Sequence, residues 1–459
     1  MSDNHTVEKY IESYPFLQYI NDNHGQYKHA REAGYKDPND LFMIGESGGF
    51  LLDIRKGDKF VNTNLLTEMA SLYHINGEKY TLYKEDSIPH RQLRKREEYR
   101  RKHGFDAPCF MRNGEVRNLH ISGDMYNYLN YTIIEQLDEK TIIHTDKGSV
   151  AKKKQDFPKF IDAQFWTFAI IEFCELNGFH LLIDKTRRGG FSYIMASHSA
   201  NKINLQPNKV CIHVAADSKY LTKRGGLTDF TIRNLYFYEN KTFFKRGILS
   251  RAAENFTLGF KLPNGDISPN SWNSALFSAS ANNNPDCAIG KDAVSVKTEE
   301  VSTMENFDEY MNVTEPAMRT GSYVTGNLFA WGTATSGNMQ TFERNFYNPS
   351  AFHFIAFENV WDKDSRNEVC GYFKPYCWGL QGQIGDRYAM DADGNSDIEM
   401  GLRIAYKERT DKKVHSKTFS DYINYLGQYA NMPSESFSST SENLFSSEAL
   451  MNWEVNIND

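Results

Sequence analysis

Residues 180–192, HLLIDKTRRGGFS, run an apolar strand straight into a basic, glycine-containing turn and then into a helix. Ile183 and its neighbours supply the strand, and Gly189 and Gly190 permit a tight turn with bared backbone N–H groups. Residues 191–201, FSYIMASHSAN, read as a helix whose N-terminal dipole attracts anions. The layout is that of a phosphate cradle, with the Ser192 hydroxyl standing where it would meet Mg²⁺.

Set against the P-loop pattern G-x-x-x-x-G-K-[ST], Gly190 and Ser192 are in place, but Phe191 occupies the lysine slot and Lys185 that of the first glycine. The physical requirement is a cation within reach of the outer phosphates. Lys185, Arg187 and Arg188 put three on one short loop, with Thr186 among them. An ordinary surface turn after a buried strand would carry the same residues, so the rest of the chain has to decide.

At 459 residues, 40% hydrophobic and 24% charged, the chain can bury a large core and is expected to hold about two or three domains. Its apolar runs fall far short of a membrane span, and residues 1–13 lack the profile of a secretion signal, so no membrane association and an intracellular home are expected. The cysteines, at 109, 174, 211, 287, 370 and 377, are dispersed with no C-x-x-C pair, which points to free thiols. A net charge of −7 argues against a globally basic nucleic-acid coat. Positive charge is clustered at 91–102 (RQLRKREEYRRK) and 152–154, and such a run reads first as a solvated helix face.

Working outward from the cradle, residues 157–174 (FPKFIDAQFWTFAIIEFC) have helical spacing, with Gln164 at the head of the apolar face. An amide there is suited to an adenine edge, or is simply solvated. Further upstream, Tyr126, Tyr128 and Tyr131 read as core, with stacking on a base as the alternative, and residues 42–52 as a strand and turn. Downstream, 209–216 and 274–281 read as buried strands, and Lys219, Lys223 and Arg224 lie on a loop after the first of them. Residues 292–300 (DAVSVKTEE) form a strand that ends in Glu299 and Glu300, suited to holding Mg²⁺ and to orienting an attacking water. A helix with an acidic first turn would look the same. Residues 327–338 (NLFAWGTATSGN) are a strand ending in small hydroxyls. In this order the segments predict one mainly parallel sheet flanked by helices, with a nucleotide site at its carboxyl edge.

KTRRGGFS at 185–192, FPKFIDAQFW, TEE at 298–300 followed by ENF, and GTATSGN at 332–338 together resemble the large terminase subunit of tailed bacteriophages. The resemblance covers roughly residues 115–450 and is strongest over 157–345. It implies an α/β, ASCE-type P-loop NTPase with an N-terminal accessory region (1–150), an ATPase domain (151–350) and a C-terminal joining segment (351–459). By position it implies Gln164 at adenine, Lys185 at the phosphates, and Thr186, Gly189, Gly190 and Phe191 in the cradle. It further implies Ser192 and Glu299 on Mg²⁺, Glu300 as catalytic base, Arg187 or Arg188 as arginine finger, and Thr333, Ala334 and Thr335 as coupling motif. The departures are Phe191 in the lysine slot and Glu rather than Asp at 299.

ATP as substrate, Mg²⁺, double-stranded DNA, a portal protein, a small terminase subunit, a homo-oligomeric working ring and the host cytoplasm follow from the same resemblance. A helicase-like DNA translocase and a hydrolysis-dead P-loop binding module are the alternatives. Asp391, Asp393 and Asn395 mimic the start of a calcium loop, but Ser396 replaces its glycine and Leu402 its closing carboxylate, so a polar loop is expected. Glu435, Glu442 and Glu448 lie in a Ser-rich stretch without a strand pattern, and no nuclease activity is expected of these 459 residues.

Overall fold

The computed structural model describes residues 2–438, apart from 22–25, 56–57, 113, 146–147, 188, 283, 289, 291, 334–338 and 363–366. Its centre is an eight-stranded sheet. In chain order the strands are β1 (Leu181–Lys185), β2 (Val210–Ala215), β3 (Ile248–Arg251), β4 (Asn255–Leu258), β5 (Ala275–Ser280), β6 (Ser295–Glu299), β7 (Asn327–Gly332) and β8 (Tyr372–Lys374). Across the sheet they lie β3-β4-β5-β2-β6-β7-β1-β8. From β5 to β8 every pairing is parallel, while β3 and β4 add an antiparallel hairpin at one edge. The expected strands at 209–216, 274–281, 292–300 and 327–338 are all present, within a few residues at each end. β8 is the addition: it falls in the segment read as a joiner, yet it pairs directly with β1.

Buried parallel strands are near-continuously apolar, and Leu181, Leu182, Ile183, Leu328, Phe329, Ala330 and Trp331 are all fully enclosed. Helix α1 (Asp162–Asn177) precedes β1 and buries Phe165, Phe168, Ile171 and Phe173; Gly178, at φ +74°, ends it in the left-handed turn that glycine adopts without strain. Helix α2 (Phe191–Leu205) follows the cradle and α3 (Leu227–Lys241) follows β2. Helix α4 (Ile398–His415) and α5 (Phe419–Gln428) come from the C-terminal part of the chain.

The N-terminal region is knit into this frame. Strand Phe50–Leu52 pairs with Phe357–Glu358, and one apolar cluster runs from Leu41 and Phe42 through Phe165 and Phe173 to Tyr372 and Trp378. Tyr126, Tyr128 and Tyr131 are core residues, each at most 1% exposed. The basic run at 91–102 does form a helix, Ile88–His103, but not a wholly solvated one: Glu97 and Arg101 are buried. Arg101 lies over the rings of Phe244 and Tyr238 and donates to Asn127, Asn201 and Asn204. A guanidinium survives there because its Nε and Nη1 donors are met by amide oxygens and its faces by aromatic rings, although Nη2 is buried without a hydrogen-bond partner.

The calcium-like stretch is a polar loop. Asn395 exchanges hydrogen bonds with the backbone of Phe60, and the Asp391 carboxylate accepts from Asp393 and Asn395. The six cysteines are free and buried. No helix among the described residues is long and apolar enough to cross a membrane.

Candidate functional site

Parallel register brings the predicted residues together. Asp184 is level with Gly332 and Glu299 with Trp331, so Lys185, Glu300 and Thr333 leave three adjacent strand ends side by side. The Lys185 ammonium donates to Glu300 Oε1 at 2.9 Å and to Thr333 Oγ1 at 3.0 Å. Thr333 is fixed in turn, since its carbonyl accepts from the Ser302 hydroxyl at 2.8 Å. Lysine, acid and small hydroxyl therefore meet at the carboxyl edge, where an open α/β sheet places its ligands.

Phe191, which occupies the lysine slot of the P-loop pattern, faces the core. As the first residue of α2 it turns its ring inward, 4% exposed and edge-on to Trp331 at 5.2 Å. A side chain in that slot faces the core, so Phe191 has only its backbone N–H to offer an anion. Gly190, at φ +72°, caps α2 without a side chain and leaves the helix's leading amides open. Ser192 lies one residue further on, and its hydroxyl donates to Glu299 Oε1.

Glu299 is 6% exposed, and burial pushes its carboxyl up to about 7, eased by the Ser192 hydroxyl and aggravated by Glu300. Its second oxygen, Oε2, is buried without a hydrogen-bond partner. A buried, half-satisfied carboxylate next to a hydroxyl is an all-oxygen donor set of the kind Mg²⁺ takes. Glu300 has φ +53° and ψ 51°, a left-handed conformation that costs a non-glycine residue on the order of 1 kcal/mol. It is held there by its carbonyl, which accepts from the backbone and hydroxyl of Thr303, and by Lys185. Nothing in the sequence marks that strain.

Beside the cradle opens a cleft of about 770 Å³ lined by Gln164, Thr186, Arg187, Gly189 and Gly190. Gln164, 9% exposed, is not a solvated helix start: its amide nitrogen donates to Tyr128 Oη at 3.4 Å, while its Oε1 is buried without a partner. Arg187 is exposed at the rim, and its backbone N–H donates to the Gln428 carbonyl at 3.0 Å. Tyr193, from the stretch read as the cradle helix, and Lys374, from the segment read as a joiner, line the same cleft, and the sequence pointed to a role for neither. Arg188, Ala334 and Thr335 lie outside the described residues. Lys219, Lys223 and Arg224 are not among the cleft's lining residues.

A second group, Asp124, Glu175 and His198, is compact enough to suggest a metal. Its cation is already present as Lys202, whose ammonium sits 2.7 Å from Glu175 and 3.8 Å from Asp124. Burial opposes ionisation of Glu175, but Lys202 and His198 together hold its carboxyl well below the usual range.

No family model matches the chain, and no curated protein matches it. Among solved structures it is similar to the large terminase ATPase domain of a Thermus phage. A point-mutant form of that domain aligns at 11% identity and TM-score 0.32, over 52% of this chain and 84% of that one. Another structure of the domain aligns at 12% identity and TM-score 0.31, over 54% and 88%. The large terminase of bacteriophage HK97 aligns at 10% identity and TM-score 0.34, over 60% of this chain and 51% of that one. A likeness of this size assigns a role to no residue.

Proposed function

We propose that this chain is an ATP-hydrolysing motor subunit of the large-terminase type, which uses Mg²⁺ and ATP to drive double-stranded DNA toward a portal, as one member of a homo-oligomeric ring and together with a small subunit, in the host cytoplasm. The observation that carries the reading is the meeting of Lys185, Glu300 and Thr333 at the ends of adjacent parallel strands. β7 stands between the cradle strand β1 and the acidic strand β6, and a glutamate follows the acidic strand. That arrangement supports the ASCE reading, in which an additional strand lies between the two and the glutamate is catalytic.

In this reading Ser192 and Glu299 hold the metal, which when bound neutralises charge on the phosphates. Lys185 exchanges its contact with Glu300 for phosphate oxygens, and Glu300, released, orients the attacking water. Thr333 loses its lysine in the same exchange, so β7 feels the state of the nucleotide. Gln164, with an unpartnered oxygen, accepts from the adenine amino group, and Arg187 or Arg188 meets the charge that develops in the transition state.

The test is ATP turnover with and without double-stranded DNA at stated salt. Stimulation by DNA is expected. Nucleotide binding without turnover would leave a P-loop binding module, and DNA-stimulated turnover without portal-dependent DNA uptake would leave a helicase-like translocase.

A further inference from the structure

β8 ends in Lys374, level with Lys185 on the neighbouring parallel strand. Two like charges abreast on adjacent strands repel. Lys185 is answered by Glu300, but Lys374 makes no ion pair among the described residues. Its side chain is 8% exposed, and its ammonium donates a hydrogen bond to the Trp378 carbonyl at 2.7 Å. An ammonium has three donors, and a buried cation that lacks a counter-charge is costly. Burial accordingly pulls its pKa down to about 8, with Cys377 and Asp162 offsetting part of the effect.

Gly189 shows what this charge faces. It is not among the glycines with positive φ, so no backbone conformation demands a glycine there. A Cβ on Gly189 would come to 3.8 Å from Lys374 Nζ, and one on Gly190 to 3.6 Å from Gln164 Nε2. Both are contact distances, so the paired glycines lie directly against a cation on one side and an amide on the other, inside the cleft that Thr186 and Arg187 also line.

We infer that Lys374 is a second cation of the phosphate cradle, whose ammonium binds the phosphate chain of a nucleoside di- or triphosphate on the Gln164 side of the glycine turn. The inference rests on the nucleotide reading of the site. It divides the work of the two lysines: Lys185 sits beside Glu300 and serves hydrolysis, whereas Lys374 serves affinity for both nucleotide and product.

Calorimetric titration of the full chain with ADP and with adenosine, for wild type and Lys374→Met, tests this. Methionine keeps the apolar stem and removes the charge. ADP is expected to bind the variant at least about tenfold more weakly, the scale of one charge-assisted hydrogen bond, with adenosine affinity unchanged. The variant's thermal midpoint without nucleotide should stay level or rise, because an uncompensated buried charge has gone. Equal ADP affinity in the two proteins overturns the inference and leaves the ATPase reading standing. A parallel loss of adenosine and ADP binding, with a fallen midpoint, makes Lys374 structural and also overturns it. Failure of the wild type to bind ADP at all removes the nucleotide reading and the inference together.

Discussion

At the scale of single residues, the site separates groups the sequence had set side by side. Glu299 and Glu300 are adjacent, but one is buried against Ser192 and the other is turned by a left-handed backbone toward Lys185. Glu300→Gln should therefore keep ATP binding and lower turnover by ~10²–10³-fold, the scale of a lost general base, whereas Glu299→Gln should raise the Mg²⁺ concentration needed for half-maximal activity. Equal, mild effects in both assays would return the pair to an acidic helix start. Lys185→Ala should cost at least ~100-fold in turnover, and a loss within about threefold, under ~1 kcal/mol in barrier, would show that the displaced lysine is not the one that counts. Asp184, one residue before it, is a feature no motif marks: both carboxylate oxygens are buried without a well-formed partner, and burial pushes it up to about 7, with little relief from the Ser436 hydroxyl. A carboxyl raised above its unfolded value stabilises the fold while protonated, so its contribution is present below pH ~4 and lost as pH rises through about 7. Asp184→Asn should match wild type in urea only near pH ~4 and below, and exceed it progressively as pH rises, by up to about 4 kcal/mol at pH 8. A pH-independent difference would contradict the assignment.

Elements were legible where one physical signal ruled. Short apolar runs bounded by turn residues gave the strands at 181–185, 210–215, 275–280, 295–299 and 327–332, because buried parallel strands need no alternation. β8 escaped notice since three residues, Tyr372–Lys374, are too few to show a period. The helix Ile88–His103 was legible as a helix, but the burial of Arg101 was not, because it depends on amides and rings contributed from residues 127–244. The meaning of Phe191 likewise lies in the element and not in the motif: the first position of α2 faces Trp331. Restoring a motif lysine there should therefore fail. Phe191→Lys would exchange an aromatic contact for a buried ammonium and should destabilise the fold by ~3 kcal/mol or more. Combined with Lys185→Ala it should not restore hydrolysis. A stable, active double variant would mean that the slot reaches the phosphates after all.

At the scale of the whole molecule, the cradle is braced by chain far from it in sequence. Arg187 in the turn donates its N–H to Gln428, Tyr376 donates to Ala430, and Cys377 donates to the Asn431 side chain. Phe437 packs among Phe342, Phe346 and Tyr347. No local pattern in residues 429–438 announces this; sequence reading took Glu435 for a stray acid in a Ser-rich stretch. It is the partner of Arg409, in a two-pronged pair at 2.7 and 2.8 Å with side chains 6% and 14% exposed, and the same guanidinium holds the Tyr429 carbonyl at 2.8 Å. Breaking such a buried pair strands a charge and typically costs ~3–5 kcal/mol. Arg409→Met should lower stability by that order, and its effect on catalysis should be lopsided. Arg409 bonds to Tyr14, Tyr429 and Glu435 and, among the described residues, to none of Lys185, Glu300 and Thr333, so kcat should change little. Arg187, however, is tied to Gln428, directly before the stretch that Arg409 clamps, so a loosened segment leaves the glycine turn less ordered before nucleotide arrives. Ordering it then draws on binding energy, and KM for ATP should rise about tenfold or more. Replacing Arg409 and Glu435 together by Met and Leu removes the stranded charge and should recover much of the stability without recovering KM, because neither side chain can hold the Tyr429 carbonyl. Equal recovery of both quantities would show that the segment supports the fold as a whole and has no particular hold on the cradle.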